Sequence, residues 1–287
     1  MIYRFMHRQR RYHRVAKMAR VLGVSRGGYY AWVKRRVSAR TRADRELSAQ
    51  IAAIQQGFAK YRYGTPRMTR ELHRRGYQVG HNRVARLMRE NGLQARRRRK
   101  YRVTTMSRHN RAAAPNRLAR NFNPPARNTV WASDITYIDT AEGWLYLCVV
   151  LDLYDRRVVG WSMSSRLTAT ALAGEALETA LMRTGRPSRV LFHSDRGIQY
   201  AAGQFRRTLA RYGIVQSMSR TGNCWDNAVV ESFFSSLKSE LIGTSRYATR
   251  AEAKAAIFEY IEIFYNRQRA HSSLGYVPPE EYGSHVA

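Results

Sequence analysis

Three acidic residues in the second half of the chain stand where a carboxylate needs either a partner or a task. Asp134 interrupts the strand-like stretch TVWASDITYI, and Asp195 closes the short apolar run RVLFHSD. Glu231 lies 35 intervening residues beyond Asp195, within SRTGNCWDNAVVESFFSSLKSEL (219–241). A charge in mid-strand is disfavoured unless something compensates for its burial. Three convergent carboxylates are the hard oxygen donors that Mg²⁺ takes, with Mn²⁺ as a substitute. Two such ions about 3.5–4 Å apart can activate an attacking oxygen and stabilise a leaving oxygen at a phosphodiester. The other acidic residues of this half, Asp139, Asp152, Asp155 and Asp226, are better explained as turn, cap or surface residues.

The elements around these residues must bring them together. After Asn128 the sequence predicts three strands joined by short turns, TVWASDITYID, WLYLCVVLDLY and RVVGWSMS, which make an antiparallel meander. A helix over 168–184, a short buried strand over 189–195, a helix over 201–212 and a fifth strand, IVQSMS, follow. A polar, Gly-containing run then opens an amphipathic helix with Val230, Phe233, Phe234, Leu237 and Leu241 on one stripe. This order describes a five-stranded mixed sheet flanked by helices, the ribonuclease H-like α/β architecture. Asp195 then falls at the carboxyl end of the fourth strand, where open α/β sheets carry their sites. Glu231 and Lys238, two turns apart, share one edge of the last helix, about 10 Å from each other. That separation is too great for a salt bridge and suits a phosphate beside the one being cut.

The charge of the chain says what it grips. Its 287 residues carry a formal charge of +31 with 44% hydrophobic residues, so a folded protein with a polyanionic partner is expected. Residues 1–127 hold 34 Lys and Arg against 4 Asp and Glu, whereas residues 128–287 hold 17 against 16. Nucleic acid is therefore expected to be held in front, with something else behind. No long apolar run supports a membrane role, and no secretory signal is visible, which points to a cytoplasmic protein. Cys148 and Cys224 form neither a disulfide framework nor a zinc motif.

Four segments result: 1–40, 46–93, 94–127 and 128–287. Residues 14–36 read as helix, Gly23 turn and a second helix capped by Ser25, a helix-turn-helix pattern. Residues 46–93 repeat the idea, with a helix bearing Leu47, Ile51 and Ile54, a second from Thr65-Pro66, and a third capped by Asn82. Arg67, Arg70, Arg74, Arg75, Arg83, Arg86 and Arg89 are expected on exposed faces, where Arg83 and Arg86 could read DNA. The linker 94–127 contains ARRRRKYR, whose Arg97, Arg98 and Arg99 should lie along phosphates.

The combination VSRGGYYAW (24–32), YRYGTPRMTRELHRRGY (61–77), WASDITYI (131–138), HSDRGIQY (193–200), SRTGNCWDNAVVESFFSSLKSE (219–240) and YNRQRAHSSLGYVPP (265–279) resembles the insertion-sequence transposases of the insertion-sequence-three family, in their downstream-frame product. Their catalytic core is of the retroviral-integrase kind. The resemblance implies a catalytic and metal-binding triad at Asp134, Asp195 and Glu231, and a basic DNA contact at Lys238. It implies metal-dependent nicking at the ends of an insertion sequence, followed by attack of the freed 3′-hydroxyl on a second phosphodiester. The implied partners are double-stranded DNA at terminal inverted repeats and target, further copies of the chain on that DNA, and the upstream-frame product. The implied setting is the bacterial nucleoid. Trp225 offers a stacking face for an unpaired base, and His193, Arg196 and Gln199 could position DNA or water. A non-catalytic DNA-binding regulator, or a ribonuclease H-like nuclease without strand transfer, are the alternatives. The tail from Arg267 is expected to dock on the core with some DNA contact.

Overall fold

The computed structural model describes residues 1–57, 63–93, 113–221, 223–244 and 246–284, except for the side chains of 169–171, 224 and 244. The described chain forms two compact units, residues 1–53 and 54–287.

In the first unit, α1 (Ile2–Gln9), α2 (Val15–Val21) and α3 (Arg26–Lys34) surround Met6, Met18, Ala19 and Tyr29. Ser25 caps α3 as its sequence position requires, its hydroxyl accepting from Gly28 N at 2.9 Å. Gly23 supplies the positive φ of 64° that turns α2 into α3. The first helix was not expected from the sequence. It earns its place through Tyr3 and His7, whose rings pack against Tyr29 and Trp32 of α3. The next helix, α4 (Ala39–Gly57), buries Leu47, Ile51 and Ile54 along one stripe.

The second unit opens on α5 (Thr65–Arg74) and α6 (His81–Glu90), which bury Met68, Leu72, Val84 and Leu87. Gly80, not Asn82, is the N-cap of α6; Asn82 lies exposed in its first turn. The helix begins where the chain leaves the extended backbone of Gly80, ahead of the residue type that favours capping. Residues 113–127, which read as part of a linker, lie instead on the core. Ala114 N donates to the sulfur of Met218, and Arg117 N and Leu118 N both donate to Ser217 Oγ. Leu118 is the apolar anchor of this segment, buried to 2% exposure.

The sheet has the order β3-β2-β1-β4-β5. Strands β1 (Val130–Ile138), β2 (Leu145–Asp152) and β3 (Val158–Ser164) pair antiparallel, whereas β4 (Leu191–Ser194) and β5 (Val215–Met218) extend the sheet in parallel from β1. A π-helical turn over Ala169–Gly174 leads into α7 (Glu175–Thr184), and α8 (Gly203–Arg211) follows β4. Both pack over the sheet face that carries Trp131, Cys148 and Phe192, with Tyr200 from the turn after β4 in the same cluster. The approach of α7 is close: a Cβ at Gly160 on β3 would run into the backbone oxygen of Ala176 and the Cβ of Ala180.

Because side chains alternate along a strand, Asp134 faces away from that cluster. The opposite face is covered by α9 (Ala228–Glu240), which buries Val230, Phe233, Phe234 and Leu237. A capping bond from Thr249 opens α10 (Arg250–Phe258), with Glu252 N donating to Thr249 Oγ1 at 3.1 Å. A π-helical stretch over Glu259–Tyr265 continues it, and Tyr265 meets Phe233 edge-on at 4.7 Å. The tail ends in α11 (Pro279–Ser284) and is stitched to the sheet edge by Asn266, which bonds both the N–H and the C=O of Val158.

Candidate active site

Three elements deliver the three carboxylates. Asp134 is held mid-strand on β1, opposite Val149 of β2. Asp195 is the first residue beyond β4, the parallel neighbour of β1, whose Ser194 pairs with Ser133. Glu231 lies exposed in the first turn of α9. Each aspartate has one oxygen fixed by backbone. Asp134 Oδ1 accepts from Ile135 N at 2.8 Å, and Asp195 Oδ1 accepts from Gly197 N at 2.8 Å. Gly197 must be small for this, because a Cβ there would sit 2.9 Å from Asp195 Oδ1.

The electrostatics show the three groups acting on one another. Burial pushes Asp134 well above the usual carboxylate range, and the neighbouring Asp195 and Glu231 push it further. Glu231 is raised by partial burial and then by Asp195. Lys238, one face along α9, pulls Asp134 the other way; its own ammonium is lowered by burial and supported by the Asp134 carboxylate. Asp134 thus feels the charge of the other three residues. Among the described residues, however, no three His, Cys, Asp or Glu side chains are gathered tightly enough to enclose a cation. The carboxylates converge without closing. Their mutual repulsion fits a divalent cation all the same, since hard oxygen donors that raise one another's pKa carry negative charge that such an ion offsets.

The remaining candidates divide. Trp225 is 68% exposed on the short turn before α9. The turn is braced by Asp226, which is 1% exposed. Asp226 accepts from Arg220 Nε at 3.0 Å, Arg120 Nε at 3.0 Å and Asn116 Nδ2 at 2.9 Å, and Arg220 foremost holds it far below the usual range. It is a buried hub, not a surface residue. His193 is fully buried between Ser217 Oγ at 2.9 Å and Ser219 Oγ at 3.2 Å. Burial pushes its pKa down to about 4. Arg196 is likewise turned to backbone, donating to Ser219 O at 2.8 Å.

Several arginines expected to face DNA have protein partners. Arg67 donates to Ala270 O and to Glu240, Arg74 reaches Glu281, Arg75 bonds Glu71, and Arg70 lies over the ring of Tyr276. On α6, Arg83 is half-buried and Arg86 forks onto Glu90 at 2.9 and 3.0 Å. Arg97, Arg98 and Arg99 lie outside the described residues. Of the tail, Arg269 is docked rather than exposed, at 3% exposure. Sequence reasoning missed Gly197, for which a glycine two residues after Asp195 was the available signal; it placed Asn223, Trp225 and Asn227 in the loop and first turn before Glu231 without giving Asn227 a bond to make.

Known proteins resemble the chain along nearly its whole length. Two integrase core domain models match residues 124–224 and 212–279, and an HTH-like domain model matches 42–101. The chain is 45% identical to the 31 kDa protein of insertion element IS600 from Shigella sonnei, over 92% of this chain and 97% of that protein. It is 42% identical to transposase InsF of insertion sequence IS3A from Escherichia coli (strain K12), over 98% of each. Among solved structures, a simian T-cell lymphotropic virus intasome is similar with a TM-score of 0.48 at 16% identity, covering 81% of this chain and 74% of that chain. The HTLV-2 integrase catalytic core in complex with magnesium gives 0.42 at 16% identity, over 56% and 99%. Likeness at that level carries no chemistry to this chain. Among the described residues no helix is long and apolar enough to cross a membrane.

Proposed function

The chain belongs to the IS3 family of insertion-sequence transposases, and from that premise we propose that Asp134, Asp195 and Glu231 are its catalytic residues in nicking insertion-sequence ends and transferring the freed strand. The observation that carries this reading is the mutual charge of three carboxylates from β1, the end of β4 and α9, with the Lys238 ammonium acting on Asp134. The same three would hold Mg²⁺, as the pair of ions that phosphoryl transfer uses, with Mn²⁺ as substitute.

When bound there, the cations would supply charge to stabilise the attacking and leaving oxygens. The protein's part is to orient. Asp134 on β1 and Asp195 at the end of β4 each have one oxygen tied to a backbone N–H, which fixes the direction in which each carboxylate points. Glu231, on a helix and exposed, completes the set from the DNA side. Lys238 places a point charge where a phosphate next to the scissile one can lie. In the first step the oxygen of a water bonds to phosphorus as the bond between phosphorus and the 3′-oxygen breaks, and one proton of that water ends on the departing oxygen, leaving a 3′-hydroxyl. In the second step that hydroxyl attacks another phosphodiester, so each step exchanges one P–O bond for another. The exposed Trp225, on a turn braced by Asp226, supplies a stacking surface for a base displaced at the nick.

DNA grip belongs to the basic front half: Arg83 and Arg86 on α6, the latter exchanging Glu90 for DNA, and Arg97, Arg98 and Arg99 along phosphates. Terminal inverted repeats and target DNA are the substrates, held by more than one copy of the chain and by the upstream-frame product where it is made. The test is substitution. Asp134→Asn, Asp195→Asn and Glu231→Gln should each abolish Mg²⁺-dependent nicking and joining of end DNA while gel-shift affinity for that DNA is kept. Wild-type strand transfer by any one of the three would remove it from the assignment.

A further inference from the structure

Helix α9 opens on Asn227, a residue type whose side chain readily caps a helix. Here it does not cap. No bond runs from its side chain to the helix's own N–H groups. Instead Nδ2 donates across to Ser133 O on β1 at 3.2 Å. The residue is 4% exposed, and its Oδ1 is buried with no hydrogen-bond partner. Two favourable options are thus forgone, since an unmet buried acceptor is costly and a capping bond would have met it.

The place explains the arrangement. The peptide plane that Asn227 grips is the one joining Ser133 to Asp134, so the bond fixes the backbone from which the Asp134 carboxylate rises. Glu231 stands four residues on, one turn along the same face of α9. The preceding turn is held from behind by Asp226 and its arginines. The two polar atoms of a planar carboxamide lie side by side, so Oδ1 occupies the same seam between β1 and the first turn of α9. The neighbouring carboxylates are acceptors and cannot satisfy it when ionised; an O–H donor can.

We propose that Asn227 is a positioning residue of the carboxylate site: its Nδ2 fastens α9 to β1 and sets the spacing of Asp134 and Glu231, while its Oδ1 accepts a hydrogen bond from water that arrives with the divalent cation. The inference rests on the reading of Asp134, Asp195 and Glu231 as cation ligands. Partners that orient ligands in this way are typically worth about 10–100-fold in metal affinity.

The test titrates Mn²⁺ into the full chain without DNA and reads free Mn²⁺ by electron paramagnetic resonance. Wild type, Asp134→Asn, Asn227→Ala and Asn227→Ser are compared, with thermal denaturation of each in metal-free buffer. Asn227→Ser is the informative variant, because serine caps a helix well but is too short to span to Ser133. It should keep or raise the metal-free Tm, yet bind Mn²⁺ about tenfold more weakly or worse. Asn227→Ala should weaken Mn²⁺ equally. Wild-type Mn²⁺ affinity in Asn227→Ser, with Asp134→Asn weakened, would overturn the role of Asn227 and leave the carboxylate reading standing. Unchanged affinity in Asp134→Asn would overturn the carboxylate reading, and this inference with it.

Discussion

Arg269 offers the sharpest test of how the tail is held. It is 3% exposed and donates from Nε to Glu240 Oε2 at 2.8 Å, and from its NH2 nitrogen to Glu240 Oε1 at 2.7 Å and Ser236 Oγ at 3.0 Å. Its guanidinium also lies over the Tyr265 ring at 5.6 Å. Glu240 takes further bonds from Tyr260 OH at 2.7 Å and Arg67 at 3.3 Å, so one carboxylate at the end of α9 gathers the tail, the π-helical stretch and α5. Removing one partner of a buried ion pair costs about 3–5 kcal/mol. Arg67 and Tyr260 still reach Glu240 after Arg269→Ala, which places the loss at the lower end, about 3 kcal/mol. For a unit of this size that is a fall in Tm of roughly 6–12 °C. Burial would raise Glu240, but Arg269 and then Arg67 hold it below its ordinary value. A depressed carboxylate contributes stability that is present above its unfolded pKa of about 4.5 and lost as pH falls through the folded value. The variant should therefore lose its deficit as the buffer is acidified below about 4.5. Calorimetry at pH 7 and across the acid range measures both effects. A Tm within 2 °C of wild type at pH 7, or a deficit that persists unchanged in acid, would refute the reasoning.

Three further outcomes are expected. Gly197→Ala should push the Asp195 carboxylate off its Gly197 N–H, slowing single-turnover nicking about 100-fold with end-DNA affinity kept; a wild-type rate would show that this glycine does not orient Asp195. Lys238→Ala should slow nicking on a pre-formed protein–DNA complex and Lys238→Arg should restore most of it; a silent alanine variant would confine the site to the carboxylates. His193, lowered to about 4 by burial, takes a proton later than in the unfolded chain, so its contribution is whole above about 6.5 and falls as pH drops from 6.5 towards 4, by up to about 3 kcal/mol. Urea unfolding of His193→Gln should lack that limb, and an identical acid profile would count against it.

Much of the core was legible because its signals are local. Three strands, their turns and the stripe on α9 follow from alternation and helical period, and Asp134 in mid-strand marked itself by being a charge among apolar residues. Ser25 and Thr249 capped their helices as residue type predicts, since a cap is decided within four residues. What the sequence could not decide is partner choice across long separations. Arginine on an exposed helix face looks the same whether DNA or Glu281 lies opposite, and Arg74 and Glu281 are more than two hundred residues apart. Asp226 could have been a surface residue until Arg120 and Asn116, from a segment that reads as linker, were laid against it. Asn227 had every local reason to cap α9, and only the arrival of β1 beside that helix turned its carboxamide toward Ser133 instead. Sequence determined which groups were present and on which element; packing of the elements decided which of those groups met, because hydrogen bonds and charges act over a few ångströms and only the folded chain brings distant residues that close.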